Sequence, residues 1–179
     1  MTIIALAGRR IDAPDTTTSR FPADNIPLVR ERLAQLFTKL DAERLICSGA
    51  CGADLLALDV AGEMNIPRHM VLPFGKKQFR EISVVDRLGS WGTLFDRIIA
   101  ELSATKAIKV FATTHDLYRD IIRANEHILR TAQNLADDTQ SVAAILVWDG
   151  AAHSAQDMTA AFGTAASARD IPLHEVSTC

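Results

Sequence analysis

Residues 45–61, Leu-Ile-Cys-Ser-Gly-Ala-Cys-Gly-Ala-Asp-Leu-Leu-Ala-Leu-Asp-Val-Ala, narrow the fold more than any other stretch of the chain. An apolar run, Leu45 to Cys47, is long enough only for a strand interior. It ends in a turn carrying Ser48, Gly49 and Gly52, and from Ala53 the apolar spacing becomes helical through Leu56, Val60 and Met64. A strand that passes directly into a helix through a glycine turn is one unit of an α/β sheet. Such a turn aims backbone N–H groups at one spot with the positive end of a helix dipole behind them, which suits a phosphate or another anion. A tight turn without a ligand is the alternative.

The rest of the chain repeats the alternation. Residues 2–7 (Thr-Ile-Ile-Ala-Leu-Ala) predict a first buried strand ending at Gly8-Arg9-Arg10. Residues 12–24 are polar, contain Pro14 and Pro22, and read as a long loop. A helix follows, with Asp24 or Asn25 as its cap and Pro27 in its first turn. Its apolar stripe is Ile26, Val29, Leu33, Leu36, Phe37 and Leu40. Further strands are expected at 68–73, 106–112, 142–147 and 172–176. Between them lie a basic loop with a short helix at 75–90, a helix from Trp91, a long helix over 115–137 capped by Thr113 and Thr114, and a helix around Met158 to Ala168. The result is an α/β, three-layer Rossmann-like fold, its mainly parallel sheet of about six strands carrying helices on both faces.

At 179 residues, with no linker, repeat or low-complexity tract, the chain is expected to form a single domain, residues 1–179. Its net charge of −3 and lack of a basic run give nucleic-acid binding little support. No apolar run reaches a membrane span of about 20 residues, and no signal peptide is visible, so no membrane partner is expected. The three cysteines, Cys47, Cys51 and Cys179, suggest reduced thiols and a cytoplasmic chain. Cys47 and Cys51 make half a metal site with nothing to complete it, so neither metal nor cofactor is expected. A homodimer remains an open assembly.

In sheets of this kind ligands sit beyond the carboxyl ends of the strands, where strand order reverses. Three predicted strand ends carry polar, glycine-bearing chemistry: Gly8-Arg9-Arg10, Ser48–Asp54 and Trp148-Asp149-Gly150. Arg9, Arg10 and Arg20 are candidate cations beside the glycine turn, and Asn125 is the polar member of an apolar stripe on the long helix.

These residues resemble the SLOG superfamily, Rossmann-like domains that include the LOG phosphoribohydrolases and the Smf-type DNA-processing proteins. Ser48, Gly49, Gly52 and Asp54 match its SG-x-x-G-x-D turn. The chain is most similar to bacterial SLOG-like proteins that open with G-x-R-x-D-A-P…R-F-P, here Gly8, Arg10, Asp12, Ala13, Pro14, Arg20, Phe21 and Pro22. They also carry an Asn at the place of Asn125, and the W-D-G of Trp148, Asp149 and Gly150. The resemblance implies a nucleotide or nucleotide-derived (nucleotide-sugar-like) ligand, in a sensor or weak enzyme. Gly8, Arg10, Arg20, Ser48, Gly49, Gly52, Asp54, Asn125, Asp149, Gly150 and Thr159 are its expected contacts. Backbone N–H groups of residues 48–52 and the Thr159 hydroxyl would hold phosphate, and Asp54 or Asp149 would accept from ribose hydroxyls.

The chain departs from the family twice. Where members have Gly-Gly-Thr, this chain has Asp157-Met158-Thr159, which puts a negative charge where a phosphate would sit. The acid that phosphoribohydrolases carry just after that turn is missing, since Ala160, Ala161 and Phe162 follow. A hydrolase or transferase of the N-glycosidic bond in nucleoside monophosphates is therefore the second expectation, with Asp54 and Glu126 as candidate catalytic carboxylates. A protein- or DNA-interaction module, by analogy with the Smf-type proteins, is the third.

Overall fold

The computed structural model describes residues 1–179. Its elements are β1 (Thr2–Gly8), α1 (Ile26–Lys39), β2 (Ala42–Cys47), α2 (Ala53–Glu63), β3 (Arg68–Leu72), α3 (Lys76–Ser83), α4 (Trp91–Ala104), β4 (Ile108–Val110), α5 (Leu117–Leu135), β5 (Ser141–Trp148), α6 (Met158–Ser167) and β6 (Leu173–Ser177). The six strands form one sheet in the order β4-β3-β2-β1-β5-β6, and every pairing is parallel. The chain winds outward from β1 through β2 and β3 to β4, then crosses back to β5 on the other side of β1. Strand order thus reverses between β1 and β5, which pair along the whole of β1 from Thr2↔Ser141 to Gly8↔Val147.

The period of two in a strand explains the layers. Ile4 and Leu6 of β1 face one way, onto Val29, Leu33 and Phe37 of α1, with the buried faces of α2 and α4 in the same cluster. Ile3 and Ala5 face the other way, onto Ala124 and Ile128 of α5 and Phe162 of α6. Helix α2 is buried on nearly every side, from Ala53 to Ala61 with Asp59 half exposed. It lies between β1, α1 and α4, so its sequence is apolar all round and has only a weak stripe.

Two expected caps are differently used. Neither Asp24 nor Asn25 caps α1 with its side chain; Asn25 Nδ2 instead donates to the Thr178 carbonyl at 2.9 Å, tying the start of α1 to the chain end beyond β6. Helix α5 starts later than expected, with Asp116 accepting from the Arg119 N–H. Thr113 and Thr114 spend their hydroxyls on buried Asp120, each at 2.9 Å. Strand β4 keeps three residues of its seven-residue run, because it is an edge strand paired only to β3. No helix is long and apolar enough to cross a membrane.

Candidate functional site at the strand-order reversal

The β2–α2 turn does not stand open. After Gly8 the backbone of Arg9, Arg10 and Ile11 lies directly against it. Ala53 N–H donates to the Arg9 carbonyl at 3.0 Å, and Ile11 N–H to the Cys51 carbonyl at 3.3 Å. Arg10 and Gly52 form an antiparallel bridge. Gly52 sits at φ 100° and ψ −126°, a conformation that only glycine adopts freely. A Cβ there would lie 2.5 Å from Ile11 N and 2.7 Å from the Arg9 carbonyl oxygen. Gly52 therefore makes room for the protein's own chain, and the expectation that it clears space for a ligand is corrected.

Some of the turn's donors are spent in the same way. Cys51 N–H donates to the Ser83 carbonyl at 2.9 Å, and Ala50 N–H to Asp54 Oδ2 at 3.4 Å. Within residues 48–52 the N–H groups of Ser48, Gly49 and Gly52 have no protein acceptor, and of these three residues only Ser48 lines the cavity described below. Gly49 packs behind the turn, where a Cβ would meet Met70 Cε at 3.0 Å. Gly8 serves close packing too, since a Cβ on it would be 2.4 Å from that of Ala53.

The start of α6 carries its own anion. Asp157 caps the helix, accepting from Thr159 N–H at 3.1 Å and Ala160 N–H at 3.0 Å, and from His153 N–H at 3.1 Å. Arg9 grips both oxygens of this carboxylate at 2.8 Å. The same guanidinium donates to Asp149 Oδ1 at 2.8 Å and to the Ala151 carbonyl, and stands over the Trp148 ring at 5.6 Å. Burial alone would raise both carboxyls. For Asp157, N–H groups of Ala160 and His153 and the charge of Arg9 outweigh it; for Asp149, His153 and Arg9 do so. Both are held below the usual carboxylate range.

Between these two helix starts, over the carboxyl end of β1 and bounded by the segments that follow β2, β3 and β5, lies a cavity of about 630 Å³. That is ample for a drug-sized molecule, and its place is the one expected for a ligand in an open parallel sheet. Gly8, Arg10, Arg20, Ser48, Asp54, Asn125 and Thr159 line it. The other candidates do not. Gly49 and Gly52 are packed into protein, Asp149 is held by Arg9 and His153, and Gly150 is exposed at φ 84° with nothing near it. Glu126 is ion-paired with Arg169 outside the cavity.

The charged lining is unevenly satisfied. Arg10 and Arg87 share Asp86, and Arg9 has its two aspartates, whereas the Arg20 side chain has no ion pair or hydrogen bond. Only its backbone is held, by N–H donation to Asp12 and by acceptance from Thr178 Oγ1. Asp54 is 6% exposed and its Oδ1 has no partner. Burial drives its pKa from 3.8 up to about 7, against the N–H groups of Ala50 and Gly8 and the charge of Arg10. Asn125 uses one N–H on the Met158 carbonyl at 3.3 Å and keeps its remaining bonding capacity.

Arg87 and Phe79 also line the cavity and had no mark as site residues in the sequence, whereas threonines 16–18, which line it too, belong to the long polar loop expected at 12–24. For Phe79 and Arg87 the available signal was position: both belong to the segment expected to lie over the strand ends. No family model matches the chain, and no curated protein matches it.

Proposed function

We propose that this α/β domain is a SLOG-like domain that binds a nucleotide or nucleotide-derived ligand in the cavity beside β1 and β5. The carrying observation is that one cavity, placed where strand order reverses, combines an unpaired guanidinium, Arg20, with a buried, half-unpartnered carboxyl, Asp54, and apolar walls from β1 and α5. Such a lining suits a molecule with an anionic end and a flat body that has a hydrogen-bonding edge. The SG-x-x-G-x-D resemblance supports the same reading, although its turn acts here through packing.

Ligand-dependent melting tests it. A ligand at about 100 times its Kd adds about 2.7 kcal/mol to stability. Mono-, di- and cyclic nucleotides and nucleotide sugars at millimolar concentration should include at least one that raises the melting temperature by several degrees. No shift with any of them overturns the proposal.

A second reading has one observation in its favour. A carboxyl with a pKa of about 7 in the cavity is poised as a general acid. In N-glycosidic hydrolysis Asp54 would give its proton to the departing base nitrogen as the C1′–N bond breaks and its electron pair leaves with the base. Water would add at C1′ and return a proton to the Asp54 carboxylate. The family's acid in the first turn of α6 is absent, and Glu126 is outside the cavity, so Asp54 carries this reading alone. Release of free base from nucleoside 5′-monophosphates, lost in Asp54→Asn, supports it; turnover unchanged in that variant removes it.

A further inference from the structure

Resting on the nucleotide-binding reading above, we infer that the nucleotide enters the cavity base-first, with its base edge at Asp54 and Asn125 and its phosphate at Arg20. This is the reverse of phosphate capture by a glycine turn and helix start.

Of the two sites where such a fold would seat a phosphate, the one at α6 is filled from within and the one at α2 is filled in part. At α2, the N–H groups of Ala50, Cys51 and Ala53 bond to Asp54, Ser83 and Arg9. At α6, the Asp157 carboxylate already holds two helix N–H groups and takes the Arg9 guanidinium as counter-ion. A phosphate there would face that carboxylate and would have to displace it, stranding a buried arginine.

Depth sorts the remaining groups. Asp54 and Asn125, 6% and 8% exposed, belong to the buried, inner lining, which also includes the apolar side chains Leu6 and Ala124. Arg20 is half buried on the β1–α1 loop, whose exposed threonines 16–18 form the rim. Of the four lining arginines it alone has no carboxylate partner, so it can meet a phosphate without giving up another ion pair. Against that inner lining a phosphate would meet Asp54. A base edge, with donors and ring-nitrogen acceptors, can pair with a carboxyl and an amide that line one cavity.

The test is titration calorimetry on the full chain. The probes are AMP, GMP, CMP and UMP, each beside its own nucleoside. For the base that binds, the wild type should prefer the nucleotide at least tenfold. Arg20→Met should bring that ratio close to one while leaving nucleoside affinity unchanged, and Arg20→Lys should restore part of it. Asp54→Asn should weaken nucleotide and nucleoside by the same factor and keep the ratio. The Arg20 side chain makes no bond within the protein, so its variants should melt with the wild type. A ratio that survives Arg20→Met overturns the inference and leaves nucleotide binding standing. Binding of none of the eight probes overturns the orientation, whereas the broader nucleotide reading falls only if di- and cyclic nucleotides and nucleotide sugars fail too.

Discussion

Asp54 gives the fold a pH dependence that one substitution removes. Its pKa rises from 3.8 to about 7 on folding, because burial disfavours the ionised form more than the nearby N–H groups and Arg10 favour it. At about 1.4 kcal/mol per pH unit, that rise corresponds to about 4 kcal/mol. Between about pH 4 and pH 7 the folded protein holds a proton that the unfolded chain has lost, so rising pH takes stability away through this window. Below it both states are protonated and above it both are ionised, so the contribution is flat on either side. The neighbours do not titrate here: Arg10 stays charged, and burial pushes the Cys47 thiol well above its ordinary value. Asp54→Asn keeps an acceptor for the Ala50 N–H and has nothing to ionise. Its unfolding free energy relative to wild type should rise by about 4 kcal/mol between pH 4 and pH 8, a large share of a typical domain total of about 5–15 kcal/mol. Urea unfolding followed by circular dichroism at several pH values measures the difference directly. A difference that is the same at pH 4 and pH 8 refutes the argument that Asp54 is buried without adequate compensation.

Three further outcomes follow from the same geometry. Gly52→Ala should lose about 3 kcal/mol or more in chemical denaturation, because backbone atoms of Arg9 and Ile11 stand within 2.7 Å of the new Cβ at a positive φ. Gly75→Ala, where a Cβ meets nothing within 4 Å and φ is −52°, is the control and should cost only the N-cap preference of Gly over Ala, about 1 kcal/mol. Arg9→Met should cost about 3–5 kcal/mol by leaving Asp149 and Asp157 buried without their cation, and adding Asp157→Ser, which retains a cap for α6, should recover part of that loss of melting temperature. Glu126→Gln should change stability by less than about 0.5 kcal/mol, its pair with Arg169 being exposed, and should leave calorimetric nucleotide affinity unchanged.

The sheet was legible because its strands are apolar runs closed by polar or glycine-bearing ends, and because a parallel sheet brings those ends to one edge. That logic places Gly8, Ser48, Asp54 and Thr159 around one cavity. Hydrogen-bond traffic was not legible. Whether the Cys51 N–H is free depends on where α3 delivers the Ser83 carbonyl, which no local pattern in residues 48–54 encodes. Arg9 looks like any exposed arginine until β5 and the start of α6 bring Asp149 and Asp157 to it from about 140 residues away. Gly52 was identifiable as a residue the turn requires. That its φ of 100° serves the approach of residues 9–11 depends on a pairing with the chain after β1.

Among the helices that start at this edge, α2 and α6 flank the cavity, and each carries an aspartate in or beside its first turn. Their surroundings drive them apart. Asp157 has three backbone N–H donors and Arg9 Nη1 across both its oxygens, which hold it below the usual carboxylate range and occupy it fully. Asp54 has one long bond from the Ala50 N–H, the Gly8 N–H nearby, an Oδ1 without a partner and no ion pair, and its ionisation falls near neutrality. Two carboxyls whose environments separate their pKa values are a mark of divided roles. Asp157 closes a structural charge cluster that fixes the loop after β5. Asp54 is left to exchange a hydrogen bond or a proton with whatever enters the cavity, donating below about pH 7 and only accepting above it. A ligand that presents a ring nitrogen to Asp54 should therefore bind more tightly at pH 6 than at pH 8, and one that presents only N–H groups should show the opposite trend. If the affinities of both kinds of ligand are flat across that range, Asp54 does not contact the ligand.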